Sequence, residues 1–503
     1  MEAFTLKSNR TFYWLLLGII LLGLFLRLHQ LDTESFWTDE AFSVTRAQQP
    51  SPELVITAVS QTEAAPPGYY LLLHYWMQAG GNTVFVIRLL SVVFSVLSII
   101  MLWKVVRLLF NIRIALLASL FMATAMLQIE YAQEARLYTL FTLLSLGSAY
   151  FFARWYKYER RTDLWWYGLF TLLAMYVNYL AVFLILGFTF MVFFRKELLL
   201  PYWKPWIFTH SIIGLFCLPL VPVLLSQFRI LNTGLSDSLI NKGLPAVLAN
   251  LGLFFFLLPL LGFTLLAAII ISQKKVRNIV LWLDTYFFVL VLVMGFLYLY
   301  LARNPFIISG IPFIRVPLTN SYFLVRHSFF LVPLWYVYLG YKIDQWWSGK
   351  RKYLTAFVFL LILFFSFSAL WVYYAQSTKA QWQEVTVYIS ERSITEPLIL
   401  LDKGGYSNEF LLRYYYPGNF SLLKLTWSES RRNLRQMTDS EVLEGLSGYD
   451  EFWLILAKNN DERYKELLDQ QYYRDDATYF YGVEVYRYTS RPGYYFPMEY
   501  NLG

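Results

Sequence analysis

The sequence predicts a polytopic α-helical membrane protein of about eleven spans with a small extracytoplasmic α/β domain at its C-terminal end. Three observations predict it. Of 503 residues, 57% are hydrophobic and only 15% are charged, against roughly 25% charged in soluble domains. Apolar runs of about 20 residues, enough helix to cross a bilayer, recur from residue 11 to residue 374. After residue 375 the pattern changes to short apolar runs between amphipathic stretches, which reads as strands alternating with helices.

The predicted spans cover 11–28, 84–110, 114–129, 137–156, 165–177, 180–194, 206–225, 246–272, 280–301, 325–341 and 354–374. The first has no small-residue cleavage site after it and reads as a retained anchor rather than a signal peptide. Only Asn178-Tyr179 separates the fifth from the sixth, and charge decides that they are two. With eleven spans and a cytoplasmic N-terminus, nineteen Lys/Arg fall on one side and nine on the other before the tail, as the positive-inside rule requires. Merging the two would move later basic loops to the wrong face. The first loop (29–83), the loops near 130–136, 226–245 and 303–324, and the tail therefore all face outward. The domains are then 1–375, in the membrane, and 376–503, outside it.

In the first outer loop, 38–47 reads as a short helix with Thr38 as its cap and Asp39 and Glu40 in its first turn, where carboxylates suit free N–H groups. Pro66-Pro67 opens a second helix over 68–77, suited to the membrane interface. The tail reads as buried strands at 398–402, 422–427 and 452–457. Helices at 383–392, 430–446 and 462–471 separate them, and one or two edge strands follow at 479–488. No Gly-rich fingerprint follows any strand, so no nucleotide site is assigned.

Composition excludes several functions. The net charge is +8, yet residues 375–503 hold 14 Lys/Arg and 19 Asp/Glu, a balance of −5 that leaves +13 to the membrane portion. That is topology charge, not a nucleic-acid footprint. The single Cys217 forbids an internal disulfide. The four histidines are scattered and no Asp-x-Asp motif occurs, so no metal and no cofactor are expected. Ionisable groups are nearly absent from mid-span, Asp284 coming closest, which argues against a transporter. Charges gather instead at the outer face: Asp39, Glu40, Glu130, Glu134, Arg136, Arg315 and Arg326. Arginine grips phosphate through a fork of donors, and a carboxylate can take a proton from a hydroxyl. The mixture suits a reaction on a lipid-linked phosphate.

Four motifs in order carry a resemblance: Trp37-Thr38-Asp39-Glu40-Ala41; Pro66-Pro67-Gly68-Tyr69-Tyr70-Leu71-Leu72-Leu73-His74; Arg88-Leu89-Leu90-Ser91; and Tyr131-Ala132-Gln133-Glu134-Ala135-Arg136-Leu137-Tyr138. In order, spacing and topology over about residues 10–200 the chain resembles the bacterial GT-C glycosyltransferases, the protein-mannosyltransferase-like and aminoarabinose-transferase-like group. Gln381-Trp382-Gln383 resembles the Asp-Trp-Arg-like start of the group's C-terminal domain.

The resemblance implies a polyprenyl-phosphate-linked sugar as donor, an extracytoplasmic acceptor, and inverting transfer without a nucleotide sugar, in the bacterial plasma membrane. By position, Asp39 matches the proposed general base, and Glu40 would orient the acceptor or the base. Arg136 falls where a cation sits near the donor phosphate, and Arg326-His327 resembles an Arg-Tyr pair that binds it. Glu134, Tyr138 and Tyr179 are candidate substrate contacts. Plainer readings stand beside these. The two acids could serve the helix end, Arg136 could anchor a helix to head groups, Glu134 could pair with an arginine, and Arg88 could snorkel or hold the first loop. Asn178-Tyr179 stands where many relatives have His-Tyr, and His327 where they have tyrosine. These departures leave room for a silent GT-C subunit with a structural role among membrane-complex partners. A transporter of lipid-linked sugars is the third reading, and would need a polar path between spans.

Overall fold

The computed structural model describes residues 2–193, 196–227, 329–349, 352–393, 396–402, 406–430, 433–457 and 462–490. The chain divides into two compact units. One holds Met1–His29, Gln49–Gly81 and Val86–Leu370; the other holds Gln30–Gln48, Asn82–Phe85 and Trp371–Gly503. The segment 29–83, expected as the first outer loop, is thus divided between them.

The first unit is helical. Among the described residues, three helices are long and apolar enough to cross a membrane: Arg10–Leu28, Val84–Leu109 and Lys352–Ala375. Two bent pairs bring the number to five at most. Trp14, Leu21, Phe25, Phe357, Leu360 and Phe364 stand exposed on the first and last of these helices, as side chains facing lipid do. The expected spans 246–272 and 280–301, with Asp284, lie outside the described residues.

Two expected spans are bent. In place of one helix over 114–129, α6 (Ile112–Thr124) and α7 (Met126–Ala132) meet at 58°. Residues 130–132, expected in a loop, belong to α7. A bend leaves carbonyls of the preceding turn without amide partners, and Arg27 of α1 (Glu2–Leu28) supplies donors. Its guanidinium, 0% exposed, donates to the carbonyls of Met122 (3.0 Å), Ala123 (2.9 Å) and Gly23 (2.9 Å) and to Ser95 Oγ (2.8 Å). The run 206–225, also expected straight, divides into Pro201–Cys217 and Leu220–Gln227 at 64°.

The break expected between the fifth and sixth predicted spans falls at Asn178. Helix Arg161–Val177 ends there, and the Asn178 Oδ1 accepts the Leu180 N–H (3.0 Å), starting a new turn before Val182–Phe193. Aromatic residues pack these helices together. Phe152 stacks on Phe188 at 4.3 Å, and Trp206 lies against both Trp155 (5.2 Å) and Tyr167 (5.3 Å). Between helices in lipid, close packing has to supply the attraction that water supplies elsewhere. Gly147 permits it, because a Cβ there would run into the Phe170 ring.

The second unit contains a five-stranded sheet ordered β2-β1-β5-β7-β6. Strands β1 (Leu398–Leu401), β2 (Ser421–Lys424) and β5 (Glu451–Ala457) are parallel; β7 (Val483–Thr489) and β6 (Tyr473–Phe480) add on antiparallel. Both faces of the central strands are covered, so they read as unbroken apolar runs. Leu398, Leu400, Phe452 and Leu454 share one cluster with Val442, Tyr464 and Leu468 of two helices. Trp453 turns the other way and donates its indole N–H to Ser393 Oγ (3.1 Å), at the end of helix Trp382–Arg392.

Three expectations for the tail are corrected. In place of a helix over 430–446, β3 (Thr426–Ser430) and β4 (Asn433–Gln436) pair as a hairpin, and the helix is only Asp439–Gly445. Thr438 starts it through a reciprocal box with Glu441 (Thr438 N–H to Glu441 Oε2, 2.8 Å). The strand expected over 422–427 ends at Lys424, where the chain leaves one sheet for the other, and β2 is a half-buried edge rather than a buried strand. The last pair is a full hairpin turning at Gly482 (φ 79°), with β7 inside the sheet and only β6 at its edge.

Candidate active site

Helix α2 (Thr38–Ala47) has the expected bounds, but Thr38 is not its cap. Trp37, in extended conformation, takes that position. The third residue of the helix, Glu40, reaches back so that its Oε2 accepts the Trp37 N–H at 3.4 Å. The two neighbouring acids therefore face different surroundings. Glu40 is 0% exposed, and the same Oε2 lies 3.2 Å from Lys379 Nζ, itself 8% exposed. Asp39 is half-exposed. A fully buried carboxylate and a partly exposed one thus sit side by side in the first turn.

The segment before α2 is fixed as closely. Ser35 Oγ accepts the Gln383 N–H (2.9 Å), the Phe36 N–H donates to Tyr415 Oη (2.8 Å), and Thr378 Oγ1 donates to Glu34 Oε2 (2.9 Å). The Phe36 ring lies 5.3 Å from that of Tyr414. All these residues belong to the second unit.

The other expected residues lie in the first unit. The 131–138 cluster forms around α7 and the start of α8 (Tyr138–Tyr158). Tyr131 and Tyr138 meet edge-on at 5.0 Å, and the Arg136 guanidinium lies 5.8 Å from the Tyr138 ring. Gln133 donates to the carbonyls of Arg27 (3.1 Å) and His29 (2.7 Å), tying α7 to the end of α1. Ser91 Oγ reaches the Arg136 carbonyl at 3.5 Å, so the Arg88–Ser91 and Tyr131–Tyr138 motifs touch. Glu134 and Arg136 are buried. Arg88 is buried too, at 1% exposure, and does not snorkel. Tyr179 is half-buried, and its hydroxyl donates to Gln227 Oε1 (2.8 Å). Gln227 in turn donates to the carbonyls of Val59 (3.4 Å) and Ala65 (2.8 Å). Arg326 and His327 lie outside the described residues. Among the described residues no three His, Cys, Asp or Glu gather to hold a metal.

The second motif, Pro66 to His74, opens helix Gly68–Gly80. Gly68 is required there, because a Cβ would come within 2.5 Å of the Tyr176 carbonyl oxygen. Sequence reasoning missed Lys379, although it lies two residues before Gln381-Trp382-Gln383. It also missed helix Pro52–Thr62, which Ser51-Pro52-Glu53 announces as cap, first-turn proline and first-turn acid.

Residues 64–225 match the family described as dolichyl-phosphate-mannose-protein mannosyltransferase. That match holds the last three motifs and begins after Asp39-Glu40. No curated protein matches the chain. Among solved structures, ArnT from Cupriavidus metallidurans in the apo state gives a TM-score of 0.50 at 12% identity, covering 96% of this chain and 99% of that one. The same protein bound to undecaprenyl phosphate gives 0.50 at 12% identity, covering 94% and 97%. The chain has the GT-C fold. The resemblance carried by the four motifs is borne out. The GT-C likeness runs through nearly the whole chain, well past the residues that suggested it.

Proposed function

We propose that this protein transfers a sugar from a polyprenyl-phosphate carrier to an acceptor hydroxyl on the outer face of the bacterial plasma membrane, with inversion at the anomeric carbon. The observation that carries the reading is the contrast between half-exposed Asp39 and buried Glu40. A partly exposed acid can meet an incoming acceptor, and a fully buried one cannot. The described neighbour bound to undecaprenyl phosphate and the dolichyl-phosphate-mannose family support a lipid-phosphate sugar as donor.

In this reading Asp39 removes the proton from the acceptor hydroxyl as its oxygen attacks the anomeric carbon. The bond from that carbon to the phosphate oxygen breaks, its electron pair stays on the lipid phosphate, and the proton remains on Asp39. Arg136 stabilises charge growing on the departing phosphate, aided by Arg326 and His327, and such preorganised cations act mainly on the transition state. Glu134, Tyr138 and Tyr179 line the substrate path. The N-terminus is cytoplasmic, and divalent metal takes no part.

The test is transfer or hydrolysis by the purified protein on a panel of undecaprenyl-phosphate hexoses and pentoses, beside Asp39→Asn. A general base contributes about 10²–10⁴-fold, so the variant should lose at least the lower figure in kcat. Equal turnover in both removes Asp39 from the role. No turnover by wild type on any donor, with copurification in fixed ratio with other membrane proteins, favours the silent subunit.

A further inference from the structure

Lys379 lies far from Asp39 in sequence, yet the Asp39-bearing helix is anchored to it. Glu40 Oε2 is shared between the Trp37 N–H, the first amide of the helix end, and Lys379 Nζ. A buried carboxylate without a cation would be costly, and truncating one partner of such a pair leaves the other charge uncompensated. Lys379 therefore helps Glu40 to stay inside and hold the first turn. Its chain neighbours strengthen the mount, since Thr378 binds Glu34 and Gln383 binds Ser35. The stretch 34–40 is thus held at Glu34, Ser35 and Glu40 by the short stretch 378–383, and Asp39 lies inside that span.

We infer that Lys379 is a positioning residue for Asp39, acting through Glu40, so that the start of the C-terminal segment sets the geometry of the proposed base. The inference rests on Asp39 being the base. A misplacement of about 1 Å at a reacting group can cost on the order of 10²-fold, without a new contact to substrate being lost.

The experiment is a double-mutant cycle in kcat on the full-length enzyme, read by single-turnover transfer from the undecaprenyl-phosphate sugar that wild type uses. Lys379→Met should lower kcat about 10–100-fold with donor KM within about threefold. In the Asp39→Asn background the same substitution should change the residual rate by less than about threefold, because the group it positions is already gone. Lys379→Met/Glu40→Gln removes both charges and keeps the fold safe if the single variant unfolds. It should show near-wild-type thermal unfolding and still have low kcat. Wild-type kcat in Lys379→Met overturns the inference while leaving the Asp39 reading intact. So does an equal loss with and without Asp39, or a kcat that recovers together with thermal stability in the double variant. Failure of wild type to transfer any sugar, or full activity of Asp39→Asn, overturns the reading and the inference together.

Discussion

Each unit buries a cation, Arg27 among the spans and Lys379 in the α/β unit, and the two are used differently. Arg27 spreads its donors over three backbone carbonyls and a serine. Lys379 aims its ammonium at a carboxylate that is also a helix cap. The fork of Arg suits several fixed acceptors at once, and the point charge of Lys suits one. In the membrane unit the buried cation makes a bend tolerable. In the other unit it fixes one residue of a pair whose neighbour is partly exposed. A buried charge therefore identifies a site only through what its partner adjoins.

The largest effect expected from breaking this contrast is on the bend. Arg27→Met strips donors from the Met122 and Ala123 carbonyls, and two charge-assisted bonds at about 1.5–3 kcal/mol each give a loss on the order of 3–6 kcal/mol. Unfolding in SDS-containing mixed micelles measures it. A loss below about 1 kcal/mol would mean that α6 and α7 meet at their angle without Arg27.

A smaller effect tests a helix break capped by a neutral group. Asn178→Ala removes the oxygen that accepts the Leu180 N–H, the same service a cap performs. The expected cost is about 1 kcal/mol, read by the same unfolding measurement. A cost as large as that of Arg27→Met would show that charge is not what separates the bend from the break.

What could be read in advance follows the reach of each interaction. Helix 38–47 was legible because acids and apolar spacing act within a turn of where they stand, and the break at Asn178 because the distribution of Lys and Arg between the two faces asks for two spans there. The Lys379–Glu40 pair joins residues 339 apart, and no local pattern announces it. The bend at Ala125 was hidden for a related reason: no Pro or Gly marks it, and the group that satisfies its carbonyls is on another helix. The β3–β4 hairpin was mistaken for helix because 430–446 is polar and charged, while the box Thr438-Asp439-Ser440-Glu441 that starts the real helix was there to be used. Of the site, the Asp39-Glu40 pair was visible as a pair, but which acid turns inward depends on partners distant in sequence, Lys379 among them, and so on the fold.

The smallest expected effect comes from an ion cluster of the same unit that is open to water. Glu409 binds Arg413 (3.0 Å) and Lys424. Burial by itself raises the Glu409 carboxyl, but the hydrogen bonds from Lys424 and Arg413 outweigh it and hold the group below its ordinary value of 4.5. A depressed carboxyl stabilises the fold above the unfolded value and loses that contribution as pH falls through the folded one. The thermal unfolding temperature of wild type minus that of Glu409→Gln should therefore be positive near neutral pH and shrink below about pH 4.5. Because Arg413 and Lys424 are largely exposed, added salt should shrink it as well. The Lys379–Glu40 pair, dry on both sides, should respond to salt far less. If the two pairs weaken equally in salt, burial is not what distinguishes the mount of Asp39 from an ordinary surface contact.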